Sequence, residues 1–323
     1  MRGNRSPITA VVCSCLLLLI SFSAQSAYTG LYVFGDGYSD NGNLYAKTSG
    51  AVPPSPPYYL GRRSNGPVAV EYLAQQLGVP LIDYAWIGAT TGIGNGVDGG
   101  TASAFGTSSF PGVGTQIAAY QTKIGGPFAD PGALYVVWAG ADNFFFPAGP
   151  LVPDELSLAL SNIANSITTL GGLGARHFFV PNMPDLSLTP FLLSSPPDKQ
   201  ALARTWSLAF NAQLQVIVTQ LGAALPLIDI TEFDTFAAVN NMVANPGAYG
   251  LTNVTDSCYS GTPACGSPDQ YLYWDTRFPT TRGHEILAGK FVDGLQSIPE
   301  PATLALLGLG LGLAGLAFSR RKQ

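Results

Sequence analysis

Leu31-Tyr32-Val33-Phe34-Gly35-Asp36-Gly37-Tyr38-Ser39-Asp40-Asn41-Gly42-Asn43 sets the reading of the whole chain. A short apolar run stops abruptly at a Gly-Asp-Gly turn, as a buried parallel strand does at its end. Four more runs of this kind follow: residues 80–86 ending at Gly88, 133–139 ending at Gly140, 176–180 ending at Pro181, and 225–230. Between and after them, residues 68–77, 154–170, 201–221 and 281–295 read as amphipathic helices, the second of them following Pro153 like a capped start. Strand–helix alternation predicts an α/β fold, a three-layer α/β/α sandwich around a parallel sheet of about five strands. In such sheets chemistry gathers in the loops at the carboxyl ends of the strands. Residues 88–114, rich in Gly, Ser and Thr with no apolar period, read either as a functional loop or lid or as a mobile surface excursion.

Composition narrows the function classes. Of 323 residues, 46% are apolar and 11% charged, which excludes an intrinsically disordered chain. The 15 Lys and Arg are spread thinly, with no basic patch, so no nucleic-acid partner is expected. No cofactor is expected either.

The two ends read as addresses rather than as parts of the fold. Residues 1–27 carry Arg2 and Arg5, an apolar stretch of about 15 residues, and a small-residue region at Ser23-Ala24-Gln25-Ser26-Ala27. That pattern is an export signal, and the stretch is short of the roughly 20 residues a spanning helix needs. The other end runs Pro299-Glu300-Pro301, then almost wholly apolar residues to Phe318, then Ser319-Arg320-Arg321-Lys322. The expected organisation is a signal at 1–27, one domain over 28–297 and a tail at 298–323. Without Arg2, Arg5, Glu300, Arg320, Arg321 and Lys322, residues 28–298 hold 10 basic and 19 acidic groups, a net charge of −9. Anionic polymers are then poor partners unless a local site overrides the field. Cys13 and Cys15 lie in the signal, so Cys258 and Cys265 remain, and in an exported chain they are most simply a disulfide. No further Cys or His stands near them for a metal site.

The tail resembles the PEP-CTERM sorting tail of Gram-negative bacteria. The resemblance implies transient membrane anchoring and processing by an exosortase-type enzyme. It also implies export through the inner membrane to the cell envelope or matrix, with a link to exopolysaccharide or biofilm. The body resembles the GDSL, or SGNH, hydrolases. Their first block, Phe-Gly-Asp-Ser with Asp-x-Gly-Asn following, is matched by residues 34–43. Gly61-Arg62-Arg63-Ser64-Asn65-Gly66 fits their Gly-Arg-x-Ser-Asn-Gly segment, and Tyr84 to Thr91 fits the second block with Gly88 at the oxyanion-hole glycine. Val137-Trp138-Ala139-Gly140-Ala141-Asp142-Asn143 fits the third block, and Val180 to Asp185 the loop after the fourth strand. Asp275-Thr276-Arg277-Phe278-Pro279-Thr280 fits the fifth, usually Asp-x-x-His-Pro-Thr. The likeness runs over roughly residues 30–295 and implies a flavodoxin-like sheet and serine-dependent hydrolysis of esters, as in lipases and esterases.

The chemistry departs from that pattern. The nucleophile position is Gly37, the base position Phe278, and the oxyanion Asn position Asp142; only Gly88 and Asp275 stand as the family has them. A serine without a base is a weak nucleophile and a base without a serine has nothing to activate, so losing both closes the acyl-enzyme route. The expectation is a hydrolase-fold protein that is catalytically impaired and used for binding or matrix architecture, with exopolysaccharide or an acylated carbohydrate as partner. The alternative is an active carbohydrate or lipid esterase with displaced groups. Ser39, Asn143 and His284 would then substitute, although Ser39 also reads as a turn residue and His284 as a helix-surface side chain. A weaker idea is Ca²⁺ held by Asp36, Asp142 and Asp275, set against three independent loop carboxylates.

Overall fold

The computed structural model describes residues 28–125, 128–145, 153–261 and 263–296. The expected export signal and sorting tail lie outside the described residues. Five parallel strands form one sheet: β1 (Leu31–Gly35), β2 (Leu81–Asp83), β3 (Leu134–Trp138), β4 (His177–Pro181) and β5 (Asp229–Phe233), in the order β2-β1-β3-β4-β5. Leu31 is paired with both Leu81 and Leu134, and Gly35 with Trp138. The chain order reverses between β1 and β3, and the crevice at that switch point is where open α/β sheets bind ligands.

The sheet is buried from both sides. Successive strand residues point to opposite faces, and Phe178 and Phe179 show where each face packs. Phe178 meets Tyr135, which meets Tyr120 of the helix Val113–Ile124, while Phe179 meets Phe291 of the last helix, Thr281–Gln296. The last helix packs on Ala69–Leu77, and Val113–Ile124 packs on Pro153–Leu173, which in turn packs on Pro197–Ala224. These are the outer layers that strand–helix alternation implies.

Three expectations need correction. The fifth strand is Asp229–Phe233, not 225–230; residues 225–228 turn out of the long helix, and Leu227 is 73% exposed. Pro226 just past a helix end is a stop signal, and an edge strand with one neighbour tolerates the polar Asp229, Thr231 and Glu232. The helix Val113–Ile124 was not expected, because a Gly-rich start hid its period. A second, two-stranded parallel sheet pairs Asn253–Ser257 with Tyr271–Tyr273. Cys258 and Cys265 follow its first strand and are disulfide-bonded, as expected.

Residues 88–114 are neither strand nor open excursion. Asn95 caps the short 3-10 turn Gly96–Asp98 and donates to the Ile87 carbonyl at 2.9 Å, while the Asp98 carboxylate accepts from the Ser108 and Phe110 N–H groups at 2.9 and 3.0 Å. The loop is laced to itself and places Gly96 and Val97 at the edge of the crevice.

The loops after β1 and β2 are joined by one carboxylate. Asp40 Oδ1 accepts from the Gly42 and Asn43 N–H groups at 2.7 and 2.6 Å, and Oδ2 from Leu44 and Ile87 at 3.3 and 2.8 Å. Burial raises its pKa, and the four N–H donors work in the opposite direction. Replacing Asp40 by Ala orphans those donors, and each unsatisfied buried donor costs roughly 1–3 kcal/mol. Urea unfolding of Asp40→Ala is expected to show a loss of about 3 kcal/mol after partial relaxation; an unchanged midpoint would mean the loops hold one another without it.

Candidate active site

A cleft of about 560 Å³ opens at the carboxyl ends of β1, β2 and β3. Its floor and walls bring together Gly88, Asp142, Asp275 and Phe278, four of the five family positions, and Gly37 lies directly beneath the Phe278 ring.

Gly37 and Phe278 occupy one space. A Cβ on residue 37 would stand 2.8 and 2.9 Å from two ring carbons of Phe278 and 3.5 Å from the Ile87 Cα. Real Cβ atoms do not approach carbon that closely, so a side chain at 37 and this ring position exclude each other. The ring is held by Tyr38, centroids 5.3 Å apart, and Tyr38 in turn stacks on Trp138 at 5.2 Å. The loop carrying Phe278 is set by the Gly-Arg-x-Ser-Asn-Gly segment: Ser64 Oγ donates to the Pro279 carbonyl at 3.0 Å, and Asn65 Oδ1 accepts from the Thr281 N–H at 2.8 Å.

Asp275 has no imidazole to orient. Its Oδ1 accepts from the Arg277 and Phe278 N–H groups, each at 2.8 Å, and its Oδ2 accepts from the Tyr58 hydroxyl at 2.8 Å. The tyrosine takes the contact an imidazole N–H would make.

Gly88 has φ +81°, a left-handed conformation, and a Cβ there would collide with Asn95 and Val97 at 2.5 Å. The turn aims its N–H into the cleft, where it favours the ionised form of Asp142. The backbone donor at the position where the family resemblance places the oxyanion-hole glycine thus faces a resident carboxyl group. Burial pushes Asp142 up to about 7, against the pull of Arg277, Arg63 and the Gly88 N–H. Its Oδ2 is buried with no hydrogen-bond partner. Asp36 lies behind it; burial, reinforced by Asp142, raises Asp36 well above the ordinary carboxyl range.

The displaced candidates are not assembled. Asn143 does not line the cleft: its Oδ1 accepts from the Thr91 N–H at 2.9 Å and its Nδ2 donates to Glu155 at 2.8 Å. Ser39 is fully buried, with its Oγ near Gly35 and without a hydrogen-bond partner. His284 is also fully buried rather than on a helix surface, and neither ring nitrogen has a partner. Ser39 and His284 therefore do not hydrogen-bond to each other, and neither lines the cleft. The Ca²⁺ idea fails too: among the described residues no three acidic, His or Cys groups are placed to hold a metal.

Sequence reasoning missed Tyr58, Arg63, Tyr259 and Arg277, which line the same cleft. The signal for the arginines lay in motif positions treated as filler: Arg63 is the x of Gly-Arg-x-Ser-Asn-Gly, and Arg277 stands between Asp275 and Phe278.

Residues 31–291 match the family model described as GDSL-like Lipase/Acylhydrolase, and residues 297–322 the PEP-CTERM protein-sorting motif. The chain belongs to the GDSL-like lipase/acylhydrolase family. A phosphatidylcholine-sterol acyltransferase of Aeromonas hydrophila is 28% identical over 263 residues, covering 77% of this chain and 72% of that protein. A protein of Arabidopsis thaliana named inactive GDSL esterase/lipase-like protein 25 is 24% identical over 349 residues, covering 93% and 82%. A solved structure of a lipolytic G-D-S-L protein from Veillonella parvula superposes with a TM-score of 0.46 at 11% identity, covering 83% of this chain and 99% of that one. The sorting motif implies processing by an exosortase-type enzyme and an envelope or extracellular location in a Gram-negative bacterium. No helix among the described residues is long and apolar enough to cross a membrane.

His284 gives the domain a measurable acid sensitivity. Burial lowers its pKa to about 3 from the ordinary 6.5, so the unfolded chain takes up a proton that the fold refuses. That proton favours unfolding as pH falls below about 6.5, by up to about 1.4 kcal/mol per pH unit, until about pH 3. The unfolding free energy of His284→Leu should fall less steeply than that of the parent between pH 6 and 4; parallel slopes would show that this imidazole is not held neutral.

Proposed function

We propose that this domain is a non-hydrolytic member of its family, which holds a ligand in the cleft at the cell envelope without cleaving it. The observation that carries this reading is the shared space of Gly37 and Phe278, with ring carbons 2.8 and 2.9 Å from where a nucleophile's Cβ would stand. Acyl transfer by this family's route needs an oxygen nucleophile at residue 37, a proton acceptor at residue 278 and donors for the oxyanion. Here the first is absent, the second is a hydrocarbon ring, and the Gly88 donor faces Asp142. A site stripped of its triad retains only about 10³–10⁴-fold catalysis over water, and loss of an oxyanion donor removes another 10²–10³. The loops that shape the cleft are nonetheless tied down by buried polar contacts, as a binding site requires. The Arabidopsis relative named as inactive is a precedent for a family member outside ester hydrolysis.

Purified protein should hydrolyse p-nitrophenyl butyrate no faster than a heat-treated control, and a fluorophosphonate probe should label nothing. Gly37→Ser alone should be silent, since the new side chain meets the Phe278 ring and finds no base. Phe278→His alone should be silent for want of a nucleophile. The triple change Gly37→Ser, Asp142→Asn, Phe278→His relieves the clash, supplies nucleophile and base beside Asp275, and restores the oxyanion amide, so it should gain probe-labelled turnover. Triad members act as a unit, so the gain should be strongly non-additive. Serine-dependent turnover by the parent, or by Gly37→Ser at the level of the triple variant, would overturn the non-hydrolytic reading.

A further inference from the structure

The cleft is less acidic than the domain around it, with two arginines, Arg63 and Arg277, set against two carboxyl groups, Asp142 and Asp275. The domain carries far more acidic than basic groups, yet Arg63 and Arg277 both line this one cavity and both act on Asp142. Arg63 lies with its guanidinium carbon 5.3 Å from the centre of the Tyr58 ring. Its Nε is buried with no hydrogen-bond partner, and so is the Oδ2 of Asp142, a side chain 5% exposed.

The rest of the wall is aromatic and polar. Tyr58 and Tyr259 meet edge to face at 5.9 Å, and Tyr259 stacks on Trp274 at 5.6 Å. Tyr259, Ser260 and Gly261 belong to the loop closed by the Cys258–Cys265 disulfide, which stiffens that wall. An arginine pair suits a planar carboxylate, and tyrosine faces suit the C–H face of a ring that also carries hydroxyls. The volume, about 560 Å³, lies within the range of small-molecule sites.

Resting on the non-hydrolytic reading, we infer that the cleft binds a hexuronic-acid residue of an acidic polysaccharide, with Arg63 and Arg277 on its carboxylate and Tyr259 along its ring. Charge selects a monoanion. Arg63 and Arg277 share the cleft with Asp142 and Asp275, so a phosphate dianion would leave it with more excess negative charge than a monocarboxylate does. A long acyl chain is disfavoured by the polar Ser260, Thr276 and glycine edges of the walls.

Titration calorimetry on the purified full chain tests this with tetragalacturonate, its methyl ester, neutral maltotetraose, acetate and inorganic phosphate. The expected result is saturable binding of tetragalacturonate, at least tenfold weaker for its methyl ester and absent for maltotetraose. Acetate should bind far more weakly than the sugar acid. Arg63→Gln and Arg277→Gln, each with an unchanged circular dichroism spectrum, should weaken binding about tenfold or more, and Asp142→Asn should strengthen it. Equal binding of the ester, phosphate binding tighter than the sugar acid, or arginine variants that bind like the parent would overturn the inference. If no sugar acid binds while the parent remains unable to cleave esters, the ligand assignment falls and the non-hydrolytic reading stands. Serine-dependent ester turnover would sink that reading whatever binds.

Discussion

The carboxylate of Asp40 is the constraint on which the site end of the sheet depends. Its four N–H partners come from the turn after β1 and from Ile87, the residue before Gly88. By holding Ile87 it fixes where the left-handed Gly88 turn begins, and so where the Gly88 N–H points. Asn43 repeats the tie, donating to the Asp83 and Ala85 carbonyls at 3.1 and 2.9 Å. On the same edge of β1, beyond the end of β2, Gln116 accepts from the Gly35 N–H and donates to the Gly35 carbonyl, both at 2.9 Å, as a neighbouring strand would. On the β3 edge the Asp36 N–H donates to the Trp138 carbonyl at 3.3 Å, so the end of β1 is held from both sides and residue 37 has little room to move away from an incoming side chain.

That rigidity gives the exchange at positions 37 and 278 its meaning. A glycine alone would leave a hole above β1, and a phenylalanine alone would collide with a serine. Together they fill one volume, with Tyr38 and Trp138 stacked behind the ring. The neighbouring changes follow the same logic. Tyr58 supplies the hydrogen bond that Asp275 would otherwise lack, and Arg63 and Arg277 offset the charge that Asp142 brings into the cleft. Unpaired buried polar atoms nonetheless remain around the site: Ser39 Oγ, Arg63 Nε, Asp142 Oδ2 and Trp274 Nε1.

Much of the fold was legible in sequence because its signals are local. Apolar runs ending in Gly or Pro gave the first four strands to within a few residues, and 3.6-residue periodicity gave four helices. The helix Val113–Ile124 escaped because its first turn is Gly- and Thr-rich, and its inward Gln116 is polar. The fifth strand was misplaced because an edge strand with one exposed side need not be apolar. At the site, substitution of the nucleophile and base could be read from motif spacing, since spacing fixes which residue stands at each strand end. The burial of His284 could not, because a histidine in an amphipathic helix reads the same on either face. Nor could the placing of Arg63 and Arg277 in one cleft, since they are 214 positions apart in the chain and their segments are joined by the docking of Ser64 and Asn65 on Pro279 and Thr281.

On the proposed reading, that docking links the loss of one chemistry to the gain of another. In a hydrolytic site the imidazole at position 278 must reach residue 37, so the 275–278 loop has to present its base inward. With a phenyl ring packed down on Gly37, the loop no longer carries a proton relay, and Arg277 beside it acts electrostatically on Asp142. The oxyanion end of the cleft changes in parallel: a neutral amide that would stabilise a transient negative charge is replaced by a carboxyl group that competes with it. An oxyanion hole favours a charge that exists only during reaction, whereas an arginine pair favours one that the ligand carries permanently. On the non-hydrolytic reading proposed above, complementarity has moved from a transition state to a ground state, the direction expected when a catalytic cleft becomes a binding cleft.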